Sequence, residues 1–439
     1  MGDRHVGEKL NAFEDFSEEP EDIRPVRRAA TWRDVLGSLA ALLLLIGFHA
    51  AQAGRWTKLD ARPPGAEHST QLEVAWDLKA ALAKGRFGRA DTPPLYHLSL
   101  RPAFGGANPA HGVVWVNLGY LALLAFGLWG LGRHFLGPWE GLGAAVLFTC
   151  APQVSWLAHE ALPDLALAAW AACAYWAFAA SDGFRNKLPA ALFGALWGAA
   201  MLTKWTAFTF FLPMLVPAVS AMNRGASGGL LGAALAAAVV AGPWYAARLP
   251  LLVSGVAEAA AGFGAPSFSV ATLFAYPLLM AEGLELPLLV VGLIGAAVPS
   301  MRRKTEDSWL LPALFVSALV VWTLFPAREL RLLLPGLVPL AVLAMGPFPR
   351  GVRAAACAVA LLSSWNYSRG ILPHLGIFKA EKPALENWRL PDILKSAHGL
   401  REPGTALSSL ALVADHPRLS QAGLRWELKR QGLAGTGVR

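Results

Sequence analysis

The first long polar loop of the chain opens with a carboxylate behind two prolines. The segment Arg62–His68 reads Arg-Pro-Pro-Gly-Ala-Glu-His, and the apolar run Val35–Ala53 precedes it. Because proline restricts its own backbone, this turn is stiff and holds the following acid in a defined position beside the membrane. A positioned carboxylate can take the proton of an attacking hydroxyl group as a general base. Glu67 is therefore the first candidate for catalysis, and Asp60 is the alternative carboxylate.

Four cations lie at the ends of apolar runs that are predicted to face the outer side of the membrane. They are Lys204, Arg248, Arg328 and Arg331. Cations in or near a bilayer are costly and usually pair with an anion, and a shared lipid phosphate would explain several on one face. The alternative is that each side chain extends to the headgroups or pairs with a local acid such as Glu329.

Two further acids, Glu160 and Asp164, lie in one short loop on the same predicted face. Asp164 follows Pro163 and precedes an apolar run, so its position also fits a helix N-cap. His68 has no second histidine or cysteine at ligand spacing, so no metal site is predicted. The glycine-rich pieces do not follow a strand, so no nucleotide cofactor is predicted either.

The composition indicates an integral membrane protein. Of 439 residues, 55% are hydrophobic and 15% are charged, with a mean hydropathy of +0.43, more apolar surface than a soluble single-core protein needs. The net charge is +8, but Lys and Arg occur in short clusters between apolar runs, which favours orientation in a bilayer over binding of nucleic acid. Cys150, Cys173 and Cys357 lie inside apolar runs and are interpreted as small buried hydrophobic residues.

The apolar runs predict an all-α polytopic protein with about eleven transmembrane helices, because about 20 apolar residues cross a bilayer as a helix. Glu282 and Glu285 interrupt the run within Leu273–Ser300. The predicted spans are Val35–Ala53, Gly112–Leu131, Gly141–Ala158, Leu165–Ala180, Leu188–Leu202, Trp205–Ala221, Leu230–Ala247, Phe274–Met280 with Leu286–Val298, Leu310–Phe325, Leu332–Phe348 and Ala354–Tyr367.

The charges between these runs orient the chain. Residues 1–33 are polar, lack the features of a signal peptide, and are predicted to be a disordered cytosolic tail. Arginines before the first span put the N-terminus in the cytoplasm, and an odd number of spans puts the C-terminus in the periplasm of a bacterial inner (plasma) membrane. Residues 34–369 then form the transmembrane domain. The cations on the inner side agree: Arg133, Arg185, Lys187, Arg224, Arg302–Lys304, Arg350 and Arg353.

Two segments are predicted outside the bilayer. The periplasmic loop 54–111 contains an amphipathic pattern that predicts a helix on the membrane surface, with Glu73 and Asp77 on its solvated face. The periplasmic C-terminal segment 370–439 is too small for an independent catalytic domain and is predicted to be a small α/β-like cap on the outer face. Its predicted elements are a helix at Pro391–His398, a strand at Leu407–Ala414 and a helix at Gln421–Gln431.

Several motifs together resemble the GT-C superfamily of membrane glycosyltransferases. The resemblance covers roughly residues 34 to 370 and is closest to the family 39-like enzymes, which include protein mannosyltransferases and lipid A aminoarabinose transferases. The matching segments, in the order and spacing of that family, are Pro63–His68, Thr92–His97, Leu162–Leu167, Met201–Thr206, Gly242–Tyr245, Arg328–Arg331 and Leu334–Pro339.

This resemblance implies a GT-C fold, no cofactor, and inverting transfer of a sugar from a polyprenyl-phosphate donor to a hydroxyl of a glycan, lipid or protein acceptor. Membrane lipids are the other expected partners. It implies that Glu67 is the general base and that Lys204, Arg248 and Arg331 hold the donor phosphate. The further implied substrate-binding residues are His68, Tyr96, His97, Glu160, Asp164, Tyr245 and Arg328.

The first motif departs from the family pattern. Glu67 stands where the family has Asp, His68 replaces the following acid, and Ala66 replaces the usual Trp. Because a carboxylate displaced by one methylene changes the alignment of a site, Asp60 remains an alternative base. A catalytically silent relative that binds a lipid-linked glycan is a second interpretation, since fold alone does not establish function. A transporter or flippase is a third, but the sequence has no internal repeat.

Overall fold

The computed structural model describes residues 30–85, 92–106, 108–223, 225–262, 270–298, 309–325, 327–374, 378–400, 408–410, 412, 416, 418–433 and 436–438. Within these ranges the chain is mainly α-helical, as the apolar pattern predicts. Most of the predicted tail 1–33 and the cations Arg224 and Arg302–Lys304 lie outside the described residues.

Sixteen α-helices are described, together with 3-10 helices at Arg101–Gly105 and Trp205–Met214. The α-helices are α1 (Trp32–Leu59), α2 (Ala66–Ala83), α3 (Leu95–Ser99), α4 (Pro109–Phe135), α5 (Pro138–Thr149), α6 (Pro152–His159), α7 (Asp164–Ala180), α8 (Lys187–Thr203), α9 (Leu215–Asn223), α10 (Ser227–Gly262), α11 (Val270–Ala297), α12 (Leu310–Leu324), α13 (Leu330–Leu343), α14 (Arg350–Tyr367), α15 (Leu390–Gly399) and α16 (Gln421–Arg430). Two short strands, β1 (Ser408–Leu410) and β2 (Thr436–Val438), pair in parallel.

Four helical segments in the described part of the chain are long and apolar enough to cross a membrane. They are α1, α4, Trp205–Met222 and Ser227–Pro250. The predicted span Gly141–Ala158 is instead two helices, α5 and α6, that meet at an angle of 66°. The bend falls before Pro152, which cannot continue the hydrogen-bond pattern of the preceding helix. Because α7, α8, α12 and α13 are apolar but shorter than 18 residues, the count of eleven spans is not confirmed.

Small residues let the helices of the core approach one another closely. A side chain at Gly141 of α5 would collide with the backbone of Trp129 and Arg133 in α4, and one at Gly194 of α8 would collide with Ala233 of α10. Close backbone contact of this kind is how helices associate where no aqueous solvent drives them together.

The antiparallel helices α1 and α4 define two ends of the molecule. With 28 residues, α1 is about 40 Å long, close to the full thickness of a bilayer with its headgroups. At the end where α1 stops, His111 at the start of α4 hydrogen-bonds to the carbonyl of Asp60 at 2.9 Å. At the other end, Trp139 donates to Asp34 at 3.3 Å. We call these the loop end and the tail end.

The predicted helix in the first loop exists as α2, but protein covers its apolar face. Leu72, Ala75 and Leu78 are all buried, and α16 packs along the helix. Its acids are not simply solvated, because Lys429 of α16 pairs with Asp77 at 2.6 Å and with Glu73 at 3.2 Å. In the C-terminal segment α15, β1 and α16 lie at the predicted helix, strand and helix, while its role as a cap on the outer face stays a prediction.

Candidate active site

Six of the residues singled out from the sequence form three charged or hydrogen-bonded pairs at the loop end. They come from the start of α2, the loop between α6 and α7, the start of α7, the residue after α8, and the start of α13. The six are Glu67, His68, Glu160, Asp164, Lys204 and Arg331. Because helix starts and loops place them, their side chains meet at a junction of several elements rather than on one helix.

Glu67 and Arg331 form a bidentate ion pair. The two guanidinium N–H groups of Arg331 donate to Oε2 and Oε1 of Glu67 at 2.5 and 2.8 Å, and its Nε donates to Glu329 at 2.5 Å. The Glu67 side chain is 60% exposed, whereas that of Arg331 is only 12% exposed. Two-pronged pairs of this kind are among the stronger hydrogen-bonded contacts in proteins. Both carboxylate oxygens of Glu67 are therefore occupied in this state.

Asp164 and Lys204 form a second ion pair. The Lys204 ammonium donates to Oδ1 of Asp164 at 2.8 Å, and the Asp164 side chain is almost fully buried. Its other oxygen, Oδ2, is buried and has no hydrogen-bond partner among the described residues. The helix N-cap interpretation of Asp164 is wrong, because Pro163 is the cap and α7 begins at Asp164 without a side-chain cap bond.

The free oxygen of Asp164 is the one most suited to a ligand. A buried carboxylate oxygen without a donor is costly, since it has lost water without gaining a partner. A hydroxyl group that reached it would supply that missing donor. Burial alone would lower the pKa of Arg331, but its hydrogen bonds to Glu67 and Glu329 and the charge of Asp164 outweigh burial and raise it. The two ion pairs therefore belong to the same site.

His68 and Glu160 form a buried dyad beside these pairs. Nδ1 of His68 lies 2.9 Å from Oε2 of Glu160, which fits an N–H donor on this nitrogen. Nε2 of His68 is buried and has no partner within the described ranges. Burial alone raises the pKa of the Glu160 carboxyl, but the hydrogen bond and charge of His68, and then the charge of Arg418, outweigh it and hold this pKa below its ordinary value.

Asp60 has a different environment from the other acids. Its Oδ1 accepts from Nε of Arg62 at 2.6 Å and from the backbone N–H of Ala384 at 3.1 Å. The Arg62 guanidinium also lies over the Trp56 ring, 5.5 Å from its centroid. Asp60 thus ties the first loop to the C-terminal segment, which is a structural task and leaves Oδ1 fully occupied.

Sequence reasoning missed two charged residues of the C-terminal segment. The Arg418 guanidinium lies 3.8 Å from Glu160 and 3.3 Å from Glu381, and it donates to the carbonyl of Pro63 at 3.3 Å. Glu381 also accepts from the hydroxyl of Tyr367 at 3.0 Å. The sequence around Arg418 contains no motif that would indicate contacts with residues of the first loop.

Tyr96 and His97, both predicted to bind substrate, are buried in α3. The Tyr96 hydroxyl donates to Asn117 at 3.2 Å. Nε2 of His97 lies 2.7 Å from the amide of Gln71, and burial lowers the pKa of His97 to about 4. Asn117 in turn donates to the carbonyl of Glu160 at 2.7 Å. These contacts support the loop that carries the acids.

The remaining predicted residues lie on other helices or turns. The Tyr245 hydroxyl in α10 donates to the carbonyl of Met201 at 3.0 Å, and Arg248 follows one turn later, half-buried. Arg328 donates to the hydroxyl of Thr272 at 2.9 Å, and its Nε is buried without a partner in the described part of the chain. No group of three or more metal-ligating side chains occurs among the described residues.

Comparison with known proteins places this site in context. Residues 97–245 match the family model described as dolichyl-phosphate-mannose-protein mannosyltransferase. No curated protein sequence matches the chain. Among solved structures, ArnT from Cupriavidus metallidurans in the apo state is similar at 17% sequence identity and a TM-score of 0.53, covering 77% of this chain and 67% of that chain.

ArnT from Cupriavidus metallidurans bound to undecaprenyl phosphate is similar at 14% identity and a TM-score of 0.59. That match covers 92% of this chain and 89% of that chain. The resemblance predicted from the motifs is confirmed, and the chain is an integral membrane protein with the fold of these ArnT structures.

Proposed function

We propose that the protein is an inverting glycosyltransferase that moves a sugar from a polyprenyl-phosphate donor to an acceptor hydroxyl on a glycan, lipid or protein. The observation that carries the proposal is the buried, unpartnered oxygen of Asp164 beside Lys204, next to the Glu67–Arg331 pair. The solved relative bound to undecaprenyl phosphate supports a donor of the same chemical class.

Lys204 and Arg331 are the cations proposed to hold the donor phosphate, with Arg248 and Arg328 as further contributors. Both Lys204 and Arg331 are paired with carboxylates in the structure. A phosphate that takes over the guanidinium of Arg331 would free one or both oxygens of Glu67. Donor binding would thereby make Glu67 available as a base, because the guanidinium of Arg331 cannot hold the phosphate and both Glu67 oxygens at once.

In the proposed reaction the acceptor oxygen attacks the anomeric carbon from the face opposite the phosphate. The bond between that carbon and the phosphate oxygen breaks, the bonding electrons leave with the polyprenyl phosphate, and the acceptor proton passes to Glu67. Configuration at the anomeric carbon inverts. Lys204 and Arg331 stabilise the charge that develops on the departing phosphate. Asp164 Oδ2 and His68 Nε2 are proposed to orient hydroxyl groups.

The topology belongs to the same proposal. We place the loop end at the periplasmic face of a bacterial inner membrane, with the N-terminus in the cytoplasm and the segment 370–439 in the periplasm. The cations Arg133, Arg350 and Arg353 at the tail end support this orientation, since positively charged loops stay in the cytoplasm.

A catalytically silent relative that binds a lipid-linked glycan is the second candidate function. The occupied oxygens of Glu67 favour it, because a carboxylate held on both oxygens is a poor proton acceptor until a cation is withdrawn. An active transferase and a silent relative would both bind the donor, but only the transferase would move the sugar to an acceptor.

The deciding experiment is a transfer assay in membranes with polyprenyl-phosphate sugars. We expect Glu67→Gln to lower transfer by about a hundredfold or more, the usual loss for a general base, while donor binding persists. Asp60→Asn tests the alternative base, and Glu73→Gln is the matched control on the same helix. Full transfer by Glu67→Gln would make the base assignment wrong. Absence of transfer by the wild type with every donor, despite donor binding, would favour the silent relative.

A further inference from the structure

A large open cleft lies at the tail end, far from the candidate active site. Its volume is about 1200 Å³, and its walls come from the starts of α1, α5 and α14 and from the end of α4. Because the 28 residues of α1 separate it from Asp60 by about 40 Å, the cleft is not part of the candidate active site. It opens at the opposite surface of the membrane-embedded helices.

The acids of the cleft already have partners. Asp34 accepts from the backbone and hydroxyl of Thr31 at 2.9 and 2.7 Å and from Trp139 at 3.3 Å. Glu140 accepts from Arg353 at 2.7 Å. Arg353 neutralises Glu140, whereas the donors to Asp34 are neutral and leave its charge in place. The lining therefore carries four arginines against two carboxylates and is net positive.

Three arginines of the cleft have no ion-pair partner among the described residues. Arg33, Arg133 and Arg350 line it from three different helices, and all three are exposed. Among the described residues none of them forms an ion pair. Arg33 and Arg133 instead lie over Trp32 and Trp129, 5.6 and 5.3 Å from the ring centroids. Guanidinium groups that line one cleft and make no ion pair within the described ranges offer N–H donors that match the oxygens of a phosphate.

Much of the remaining lining is apolar. Leu142, Val146 and Ala354 contribute to the walls, and two tryptophans at this end are strongly exposed, Trp32 at 68% and Trp139 at 50%. Exposed tryptophan in a membrane protein marks the depth of the lipid headgroups. The cleft therefore combines phosphate-binding groups with a hydrocarbon-facing wall at headgroup depth.

We propose that this tail-end cleft binds the phosphate headgroup of an anionic phospholipid, with its acyl chain against the apolar wall. The acidic segment that precedes α1, with Glu18, Glu19, Glu21 and Asp22, is a competing occupant by charge. The lipid is favoured because an acidic peptide would satisfy the arginines but leave the apolar wall and the tryptophans uncovered. This site is separate from the donor site proposed above.

The test is lipid binding to the purified full chain in detergent, followed by native mass spectrometry and by titration. Phosphatidylglycerol is the probe, and phosphatidylcholine, undecaprenyl phosphate and inorganic phosphate are the comparisons. We expect Arg133→Gln to weaken phosphatidylglycerol binding about fivefold, and the triple change of Arg33, Arg133 and Arg350 to Gln to weaken it on the order of a hundredfold. Arg185→Gln, on the same face but outside the cleft, should have no effect.

Several results would overturn the proposal. Unchanged affinity in the triple variant, or equal binding of phosphatidylcholine, would show that the arginines do not select the ligand. Preferential binding of undecaprenyl phosphate, or of inorganic phosphate alone, would assign the site to another anion. Binding that appears only after residues 1–29 are removed would assign the cleft to the acidic segment. If the triple variant does not elute as a folded species, the single variants decide.

Discussion

At the scale of single residues, the site is a set of acids and cations that neutralise one another. Glu67 and Arg331, and Asp164 and Lys204, are joined by ion pairs. A donor phosphate would have to displace these carboxylates from the cations. The same contacts therefore bear on stability and on catalysis, and experiments must separate the two roles.

Variants of the Asp164–Lys204 pair can separate the contribution to stability from the contribution to sugar transfer. Lys204→Met leaves a buried, unpaired carboxylate and should lower the free energy of unfolding by about 3 kcal/mol or more. Adding Asp164→Asn removes that charge and should restore most of the stability but not the sugar transfer. Reversible unfolding in mixed micelles and the transfer assay measure the two effects. If the double variant regains transfer, neither residue acts in the reaction.

The buried imidazole of His97 predicts a loss of stability in mild acid. Its pKa is lowered to about 4 in the folded protein from about 6.5 when unfolded. The unfolded chain therefore binds more protons between these values, and stability falls as pH decreases through this window. From pH 7.5 to 5 the loss from this one group is about 2 kcal/mol. His97→Gln should remove that part of the pH dependence, whereas exposed His134→Gln should retain it.

At the scale of elements, α2 is the piece that carries the first motif into the site. Its start holds Glu67 and His68, and α16 packs along it. Trp426 of α16 is buried against Trp76 of α2 and Phe104, with ring centroids 5.9 and 6.1 Å apart. The C-terminal segment therefore positions the loop instead of merely following the last membrane helix.

Truncation of Trp426 tests this positioning. Trp426→Ala should cost about 3 to 5 kcal/mol of local packing, expose the C-terminal segment to limited proteolysis, and lower sugar transfer. Trp426→Phe keeps an aromatic ring and should retain most of the activity. Unchanged transfer in the alanine variant, with the segment cleaved, would show that α2 does not need α16.

The apolar runs of the sequence predicted most membrane helices but not the sharp bends within them. Residues 164–180 and 187–203 are helices close to the predicted runs, because a continuous apolar stretch favours a helix in a membrane. The run 141–158 looks equally continuous, yet it bends by 66° before Pro152. The local sequence indicates a break at proline, but the angle is set by the helices packed around it.

At the scale of the whole molecule, the protein has two ends about one bilayer apart, each with its own proposed lipid contact. The loop end holds the acids and cations of the candidate active site, and the tail end holds the arginine-lined cleft. The proposed orientation puts these ends on opposite sides of the inner membrane.

Labelling of single cysteines tests that orientation. In a background without the three native cysteines, Glu73→Cys at the loop end should react with a membrane-impermeant thiol reagent in intact spheroplasts. Arg185→Cys at the other end should react only after the membrane is permeabilised. Labelling in the reverse pattern would invert the topology, and the loop end could then not face the periplasm.

The amino-acid sequence alone was sufficient to predict a helical membrane protein with a carboxylate motif in its first loop. These features depend on local composition and on motifs a few residues long. Three contacts become apparent only once the chain is folded. Arg331 meets Glu67 across 264 residues of chain, His68 meets Glu160, and Arg418 lies beside Glu160. An ion pair depends on the distance between charges, and that distance follows from the packing of helices that are far apart in the chain.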